Sequence, residues 1–209
     1  MIHLSTAYFP SIQYMSKFFL GETVQVEASE NFQRQSYRNR MEMLSANGKL
    51  SLFVPIIKSK NNKTAIRDVE IDYATDWQKQ HFKSIESAYN SSPFYEYIID
   101  DFSFVFDTKE KYLFDLNQKI LEQILIYLQV NNSYQLSSDF VVDLDHDFRN
   151  SIHPKPKMQK EDAHFYSNKY YQTFNDKFDF IENLSVLDLL FNEGSQAISI
   201  LKKATKVTI

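Results

Sequence analysis

The spacing of apolar and polar positions changes several times along the chain, and each change predicts an element. Ile2 to Phe9 reads as a short extended segment closed by Pro10. Ser11 to Phe19 then shows helical spacing through Ile12, Met15 and Phe19, with Gly21 as its stop. Thr23 to Ala28 alternates, with Val24 and Val26 on one face, and predicts a strand. The opening is thus strand, helix, strand, a βαβ-like start. Arg34 to Leu44 and Lys49 to Ile57 read as two strands joined at Ala46-Asn47-Gly48, because Asn-Gly between such runs is a strong hairpin signal.

Lys58 to Lys63 is a polar loop, and Ile66 to Asp72 predicts another strand. Trp77 to Asn90 carries an apolar stripe of Trp77, Phe82, Ile85, Ala88 and Tyr89, the mark of an amphipathic helix. After Ser91-Ser92-Pro93, Phe94 to Phe106 predicts a second, aromatic helix. Tyr112 to Val130 follows as a long one, with Leu113, Leu116, Ile120, Ile124 and Leu128 in register. Tyr134 to Val142 gives mixed signals. Phe148 to Asn168 reads as loop, and Tyr170 to Phe174 as a return to strand. Ser185-Val186-Leu187-Asp188 fits a capping box, opening a helix that runs to Glu193 and stops at Gly194. A last helix spans Gln196 to about Lys203. The fold class expected is α/β: a mixed sheet with a βαβ-like start and a β-hairpin, flanked by helices, in one domain over residues 1–209.

Composition narrows the chemistry. Three glycines among 209 residues leave no Gly-rich phosphate loop, neither G-x-G-x-x-G nor P-loop. Zero cysteines remove disulfides, thiolate nucleophiles and Cys-based zinc sites, and fit a reducing compartment. The opening residues carry no charged region followed by an apolar run, so no signal peptide is expected. No stretch approaches the ~18 apolar residues of a membrane span. A net charge of −4 offers no general field for nucleic acid. A cytoplasmic protein is expected. Asp143, Asp145 and Asp147 alternate, but no glycine follows where a calcium loop needs one, so metal is not expected. The residues imply no particular cofactor and no oligomeric state.

Ordered blocks carry a family resemblance. They are Asn31 to Arg40, Asn47-Gly48 with Leu52, Val54 and Pro55, and Ile66 to Asp72 followed by Trp77, His81, Ile85, Tyr89, Pro93 and Phe94. Asp115-Leu116-Asn117 and, most specifically, Asn183 to Gly194 complete them. Together they resemble the WbqC-like family from about Leu4 to Leu201. Many members open with His-Gln-Pro before an aromatic-Leu-Pro turn. Here Tyr8-Phe9-Pro10 keeps the turn, while Leu4, Ser5 and Thr6 precede it. The resemblance implies a place in surface-polysaccharide or nucleotide-sugar metabolism.

Read as a strand, Gln33 to Arg40 would point Arg34, Ser36, Arg38 and Arg40 to one face and Gln33, Gln35, Tyr37 and Asn39 to the other. Planar guanidinium forks on one face suit phosphate or carboxylate. The competing reading is a solvated face paired to Glu27, Glu30 and Glu42. His81, one turn after Trp77, is either a satisfied core histidine or a general acid or base, with Asp68 or Asp72 to orient it. Asp115 and Asn117 open the long helix, where an acid also serves the helix dipole. Asn192 closes the penultimate helix. Two functions follow. One is a group transferase acting on a nucleotide-linked sugar. In it His81 and Asp68 are catalytic, and Gln33, Arg34, Arg38, Asn39, Arg40, Trp77, Tyr89, Asp115, Asn117 and Asn192 bind substrate. The other is a non-catalytic binding or scaffolding protein of the same pathway, using Phe94, Tyr95 and Tyr97.

Overall fold

The alternation of Ile2 and Leu4, and of Val24 and Val26, becomes two parallel strands, β1 (Ile2–Ser5) and β2 (Val24–Glu27), with Ile2 opposite Val24 and Ser5 opposite Glu27. The crossover between them is helix α1 (Ile12–Ser16) and a 3-10 turn at Lys17–Phe19. Ser11 caps α1, its hydroxyl accepting from the Tyr14 N–H at 3.3 Å. The computed structural model describes residues 1–58, 63–130, 134–142 and 144–205. Residues 59–62 of the expected polar loop, and Asp143 of the aspartate run, lie outside them.

The hairpin forms as β3 (Arg40–Ser45) and β4 (Gly48–Phe53), antiparallel, with Ser45 opposite Gly48. Only Gly48 of the Asn-Gly pair takes a positive φ, at +100°. β3 starts six residues later than Arg34. Before it the chain turns, with Gln35 at φ +60° and a 3-10 turn at Tyr37–Asn39. The Ser36 side chain causes this locally: its hydroxyl donates to the Gln33 carbonyl at 2.6 Å and accepts from the Arg38 N–H at 3.4 Å. The expected two-faced strand over Gln33 to Asn39 is therefore corrected to a turn.

Ile66 to Asp72 is likewise corrected. It is a 3-10 turn at Ile66–Asp68 followed by single bridges from Glu70 to Tyr112 and from Ile71 to Ile56. No one partner strand runs beside it: Ile66 N–H bonds the Glu30 carbonyl and Ile71 N–H that of Lys111. Helix α2 (Trp77–Tyr89) keeps its expected start. The aromatic helix divides into α3 (Tyr95–Ile98), a 3-10 turn at Ile99–Phe102 and α4 (Ser103–Asp107). Helix α5 (Leu113–Tyr127) buries the expected Leu113, Leu116, Ile120 and Ile124, and with them Phe114, Leu121, Leu125 and one polar residue, Asn117. Strand β5 (Gln135–Leu136) adds to β2 in parallel, giving the order β1-β2-β5. On the far side of β1, His3 forms a parallel bridge with Asp147.

Tyr170 to Phe174 is not a strand. Gln172 turns inward and bonds both the N–H and the carbonyl of Ile181, so this segment closes on its own loop. Helix α6 (Val186–Glu193) is capped by Ser185, whose hydroxyl accepts from the Leu187 N–H at 3.3 Å. Asp188 does not return the favour of a capping box. Its carboxylate accepts instead from the hydroxyls of Tyr89 at 2.7 Å and Tyr170 at 2.6 Å. Gly194 ends α6 at φ +53°, before α7 (Ala197–Ala204). The buried apolar side chains form one contiguous cluster from Ile2 to Leu201. The architecture is mixed α/β: a parallel sheet, an antiparallel hairpin and flanking helices. Among the described residues no helix is long and apolar enough to cross a membrane.

Candidate functional site

The turn at Tyr37–Asn39 sends successive side chains in different directions, so the three arginines of this segment do not share a face. Arg38 turns inward, 1% exposed, and grips Glu30 with two nitrogens, Nε at 2.7 Å and Nη2 more closely. Arg40 pairs with Glu42, bonds the Ser51 hydroxyl at 2.9 Å and lies 5.1 Å from the Phe53 ring. Arg34 remains exposed without a partner among the described residues. Glu30 and Glu42 thus pair with arginines as one reading of the sequence held, but they do so in the interior.

Arg38 belongs to a buried ionic network at the carboxyl end of the parallel sheet. Glu27, the last residue of β2, accepts from Arg149 Nη1 at 2.7 Å and also from the Ser137 hydroxyl. Arg149 holds Asp147 with Nε at 2.9 Å and Nη2 at 2.7 Å, and its carbonyl meets Arg38 Nη2 at 3.4 Å. Burial pushes the Glu30 carboxyl up despite the Arg38 guanidinium beside it. Burial also acts to raise Asp147, but its hydrogen bonds from Arg149 outweigh this and leave it below the usual carboxylate range. Asn117, 1% exposed on α5, joins the network by donating to the Arg38 carbonyl at 2.8 Å. Arg149 and Asp147 escaped recognition as site residues because a charged pair two apart in a loop looks solvated. The parallel bridge at His3 brings the pair to the sheet, where Arg149 is buried and Asp147 half-buried.

His81 is 4% exposed. Its Nδ1 lies 2.9 Å from the Tyr8 hydroxyl, and the ring makes a further hydrogen bond to the Phe53 backbone. Burial lowers its pKa from 6.5 to about 4, so the ring is neutral near pH 7. Trp77 packs edge-on to His81 with centroids 5.0 Å apart and is 2% exposed. Asp68 is exposed on its 3-10 turn, and Asp72 accepts from the Ala74 N–H, so neither orients His81. Tyr89 is buried against Asp188. Asn192 accepts from the hydroxyls of Ser92 and Thr173 and donates to the Asp188 carbonyl at 2.8 Å. Asp115 is exposed in the first turn of α5, and Gln33 is exposed beside Arg34. The fold therefore separates these residues. Arg38 and Asn117 meet at the sheet edge, Trp77 and His81 in the core, and Tyr89 and Asn192 around Asp188.

One open depression, of about 260 Å³, collects what remains: Phe32, Arg34, Gln35, Asn39, Phe53, Ile56 and Lys58 line it. Its floor is aromatic and aliphatic. Arg34 and Lys58 are exposed cations with no ion-pair partner among the described residues. Asn39 donates to the Val54 carbonyl at 2.9 Å and leaves its own buried Oδ1 unpartnered. Lys155 reaches Gln35 from the loop beyond the ionic network. Of the three aromatic residues around α3, Phe94 and Tyr97 are exposed, at 37% and 78%, and Tyr95 is buried. Among the described residues, no group of three or more His, Asp or Glu side chains is placed to hold a metal.

The family model of the WbqC-like protein family matches residues 6–154. That span begins just after β1 and holds α1 through β5, the depression and the ionic network. Uncharacterized protein Rv1507c of Mycobacterium tuberculosis (strain ATCC 25618 / H37Rv) is 25% identical over 134 residues, which cover 64% of this chain and 55% of the relative. The chain thus spans about half the length of that relative. No solved structure matches.

Proposed function

The chain belongs to the WbqC-like protein family, and on that premise we propose that it binds a nucleotide-linked sugar in the depression beside the hairpin, as a group transferase of surface-polysaccharide or nucleotide-sugar metabolism in the cytoplasm. The observation that carries this reading is the pairing, within one depression, of an aromatic floor with two cations that have no ion-pair partner among the described residues. Arg34 offers a planar fork to a diphosphate and Lys58 a second positive charge. Phe32 and Phe53 offer flat faces to a base or to the apolar face of a sugar. Gln35 and the free Oδ1 of Asn39 suit hydroxyl groups. The overall charge of −4 makes this local positive character specific rather than general.

In this reading Arg40 acts from behind, holding the Phe53 ring while itself tied to Glu42 and Ser51. His81 hydrogen-bonds the Phe53 backbone and so helps hold it in place. The test is isothermal titration with UDP-glucose, UDP and inorganic diphosphate. UDP-glucose should bind, and R34A and K58A should each weaken it about tenfold, the loss of one charge-assisted contact. Both positions are exposed, so folding should be unaffected. Equal affinity of the double variant would refute the site, and equal affinity for inorganic diphosphate would reduce it to a simple anion site. Binding without release of nucleoside diphosphate across a panel of acceptors would favour the non-catalytic reading.

A further inference from the structure

The parallel sheet has a topological switch that the depression does not use. From β1 the chain adds β2 and then β5 on one side, and returns at Asp147 to the opposite flank of β1. The ladder there is real: His3 N–H bonds the His146 carbonyl at 3.1 Å, and Phe148 N–H bonds the His3 carbonyl at 2.8 Å. The chain therefore leaves β1 at Ser5-Thr6 and leaves its neighbour on the opposite flank at Phe148 to Ser151. In open α/β sheets, ligands take the crevice outside the carboxyl ends of the strands at such a switch.

Three buried polar atoms border this switch without partners: Asn117 Oδ1, Gln118 Oε1 and Ser151 Oγ. Asn117 and Gln118 are neighbours on α5, and Ser151 lies two residues beyond Arg149. Gln118 Nε2 lies 3.4 Å from the Thr6 hydroxyl, Asn117 donates to the Arg38 carbonyl, and Arg38 reaches the carbonyl of Arg149. An unpaired polar atom in the interior costs of order 1–3 kcal/mol, so each calls for a partner. Two of the three are amide oxygens and accept only. The charge around them points the same way. Glu27, Glu30 and Asp147 face Arg38 and Arg149, three carboxylates against two guanidiniums, and both guanidiniums are already engaged by carboxylates. Neither guanidinium is left free for a phosphate.

We propose that this switch point is a second ligand site, independent of the depression, that takes a small primary ammonium group. Such a group supplies three N–H donors to acceptors that lack them, and one positive charge to a cluster that is one short. The probe is methylammonium, followed through the side-chain amide signals of Asn117 and Gln118 in ¹⁵N-labelled protein. Two controls separate the contributions. Tetramethylammonium has the charge but no donor, and methanol has a donor but no charge. Methylammonium alone should give saturable shifts. Q118L and S151A should each weaken it about tenfold, and R34A should leave it unchanged, which separates this site from the depression. Equal shifts with methanol would overturn the ammonium assignment, as would equal shifts with tetramethylammonium. No shift with methylammonium, or full binding in both Q118L and S151A, would mean that the orphaned atoms hold only water.

Discussion

Two buried titrating groups should pull the pH dependence of stability in opposite directions, and removing one should expose the other. His81 is neutral in the folded protein because burial lowers its pKa from 6.5 to about 4. With one ring nitrogen bonded to the Phe53 backbone, the other accepts from Tyr8, and a proton there would remove that acceptor. The unfolded chain binds this proton first as pH falls. His81 therefore contributes stability that is complete above pH 6.5 and is lost as pH falls through about 4. That interval corresponds to about 3 kcal/mol at ~1.36 kcal/mol per pH unit.

Asp188 is the mirror case. It is 0% exposed, and burial raises its carboxyl from 3.8 to about 6, with the Tyr89 and Tyr170 hydroxyls opposing. Here the folded protein holds the proton more tightly. Its contribution is complete below pH 3.8 and is lost as pH rises through about 6. This too amounts to about 3 kcal/mol. Over the shared window the two nearly cancel. Urea unfolding of wild type and H81Q at intervals from pH 4 to 7 should give stability curves that diverge by about 2–3 kcal/mol toward high pH, with H81Q losing stability as pH rises. D188N should diverge with the opposite slope. Curves separated by a constant offset would refute the reasoning, as would a His81 ring titrating near 6.5 by NMR. The other titrating groups are common to both proteins and drop out of the difference.

Two further outcomes follow from burial and backbone geometry. R38A leaves Glu30 buried without its partner and should cost about 3–5 kcal/mol, whereas R38M/E30L, removing both charges, should recover much of that loss in chemical denaturation. G194A places a methyl group 2.7 Å from the Phe94 ring at φ +53°, so it should lower the thermal midpoint by an amount corresponding to about 1–3 kcal/mol; an unchanged midpoint would mean that Phe94 moves freely aside.

Periodicity revealed the elements whose register is local. The stripe of α5, the hairpin at Gly48, and the Ser185 and Gly194 boundaries of α6 all read directly, because caps, turns and i, i+4 spacing are properties of neighbouring residues. It failed where partners are distant. Ile66 to Asp72 has strand-like alternation, yet its backbone is shared among Glu30, Pro55 and Lys111, and no periodicity reports that. Gln33 to Asn39 failed for the opposite reason. The very local Ser36 side chain competes with the ladder and turns the chain. The site residues divide the same way. Arg34 and Asn39 reach the depression, but Phe53, Ile56 and Lys58 come from the second hairpin strand and its exit, which carry no signal beyond apolar and basic character. The meeting of buried Glu27 and Arg149 with half-buried Asp147 goes with a bridge across more than a hundred residues.

The segment where this chain departs from the family resemblance acquires a location from the fold. Leu4, Ser5 and Thr6, which stand where many members carry His-Gln-Pro, are the last residues of β1 and the first beyond it. They sit at the switch point. Leu4 is fully buried in the core, the Ser5 carbonyl accepts from the Tyr14 hydroxyl at 2.9 Å, and Thr6 meets Gln118. The nearest histidine cannot substitute. His3 is adjacent to Leu4, and successive strand residues point to opposite faces, so His3 lies beside Gln25 on the neighbouring strand, with its Nδ1 3.1 Å from the amide oxygen. An imidazole at the end of β1 would bring a proton carrier to the crevice, whereas Thr6 brings only a hydroxyl already engaged. What this chain retains at the switch is a set of hydrogen-bond acceptors beside three carboxylates and two guanidiniums, which is equipment for holding a donor group in place rather than for moving a proton.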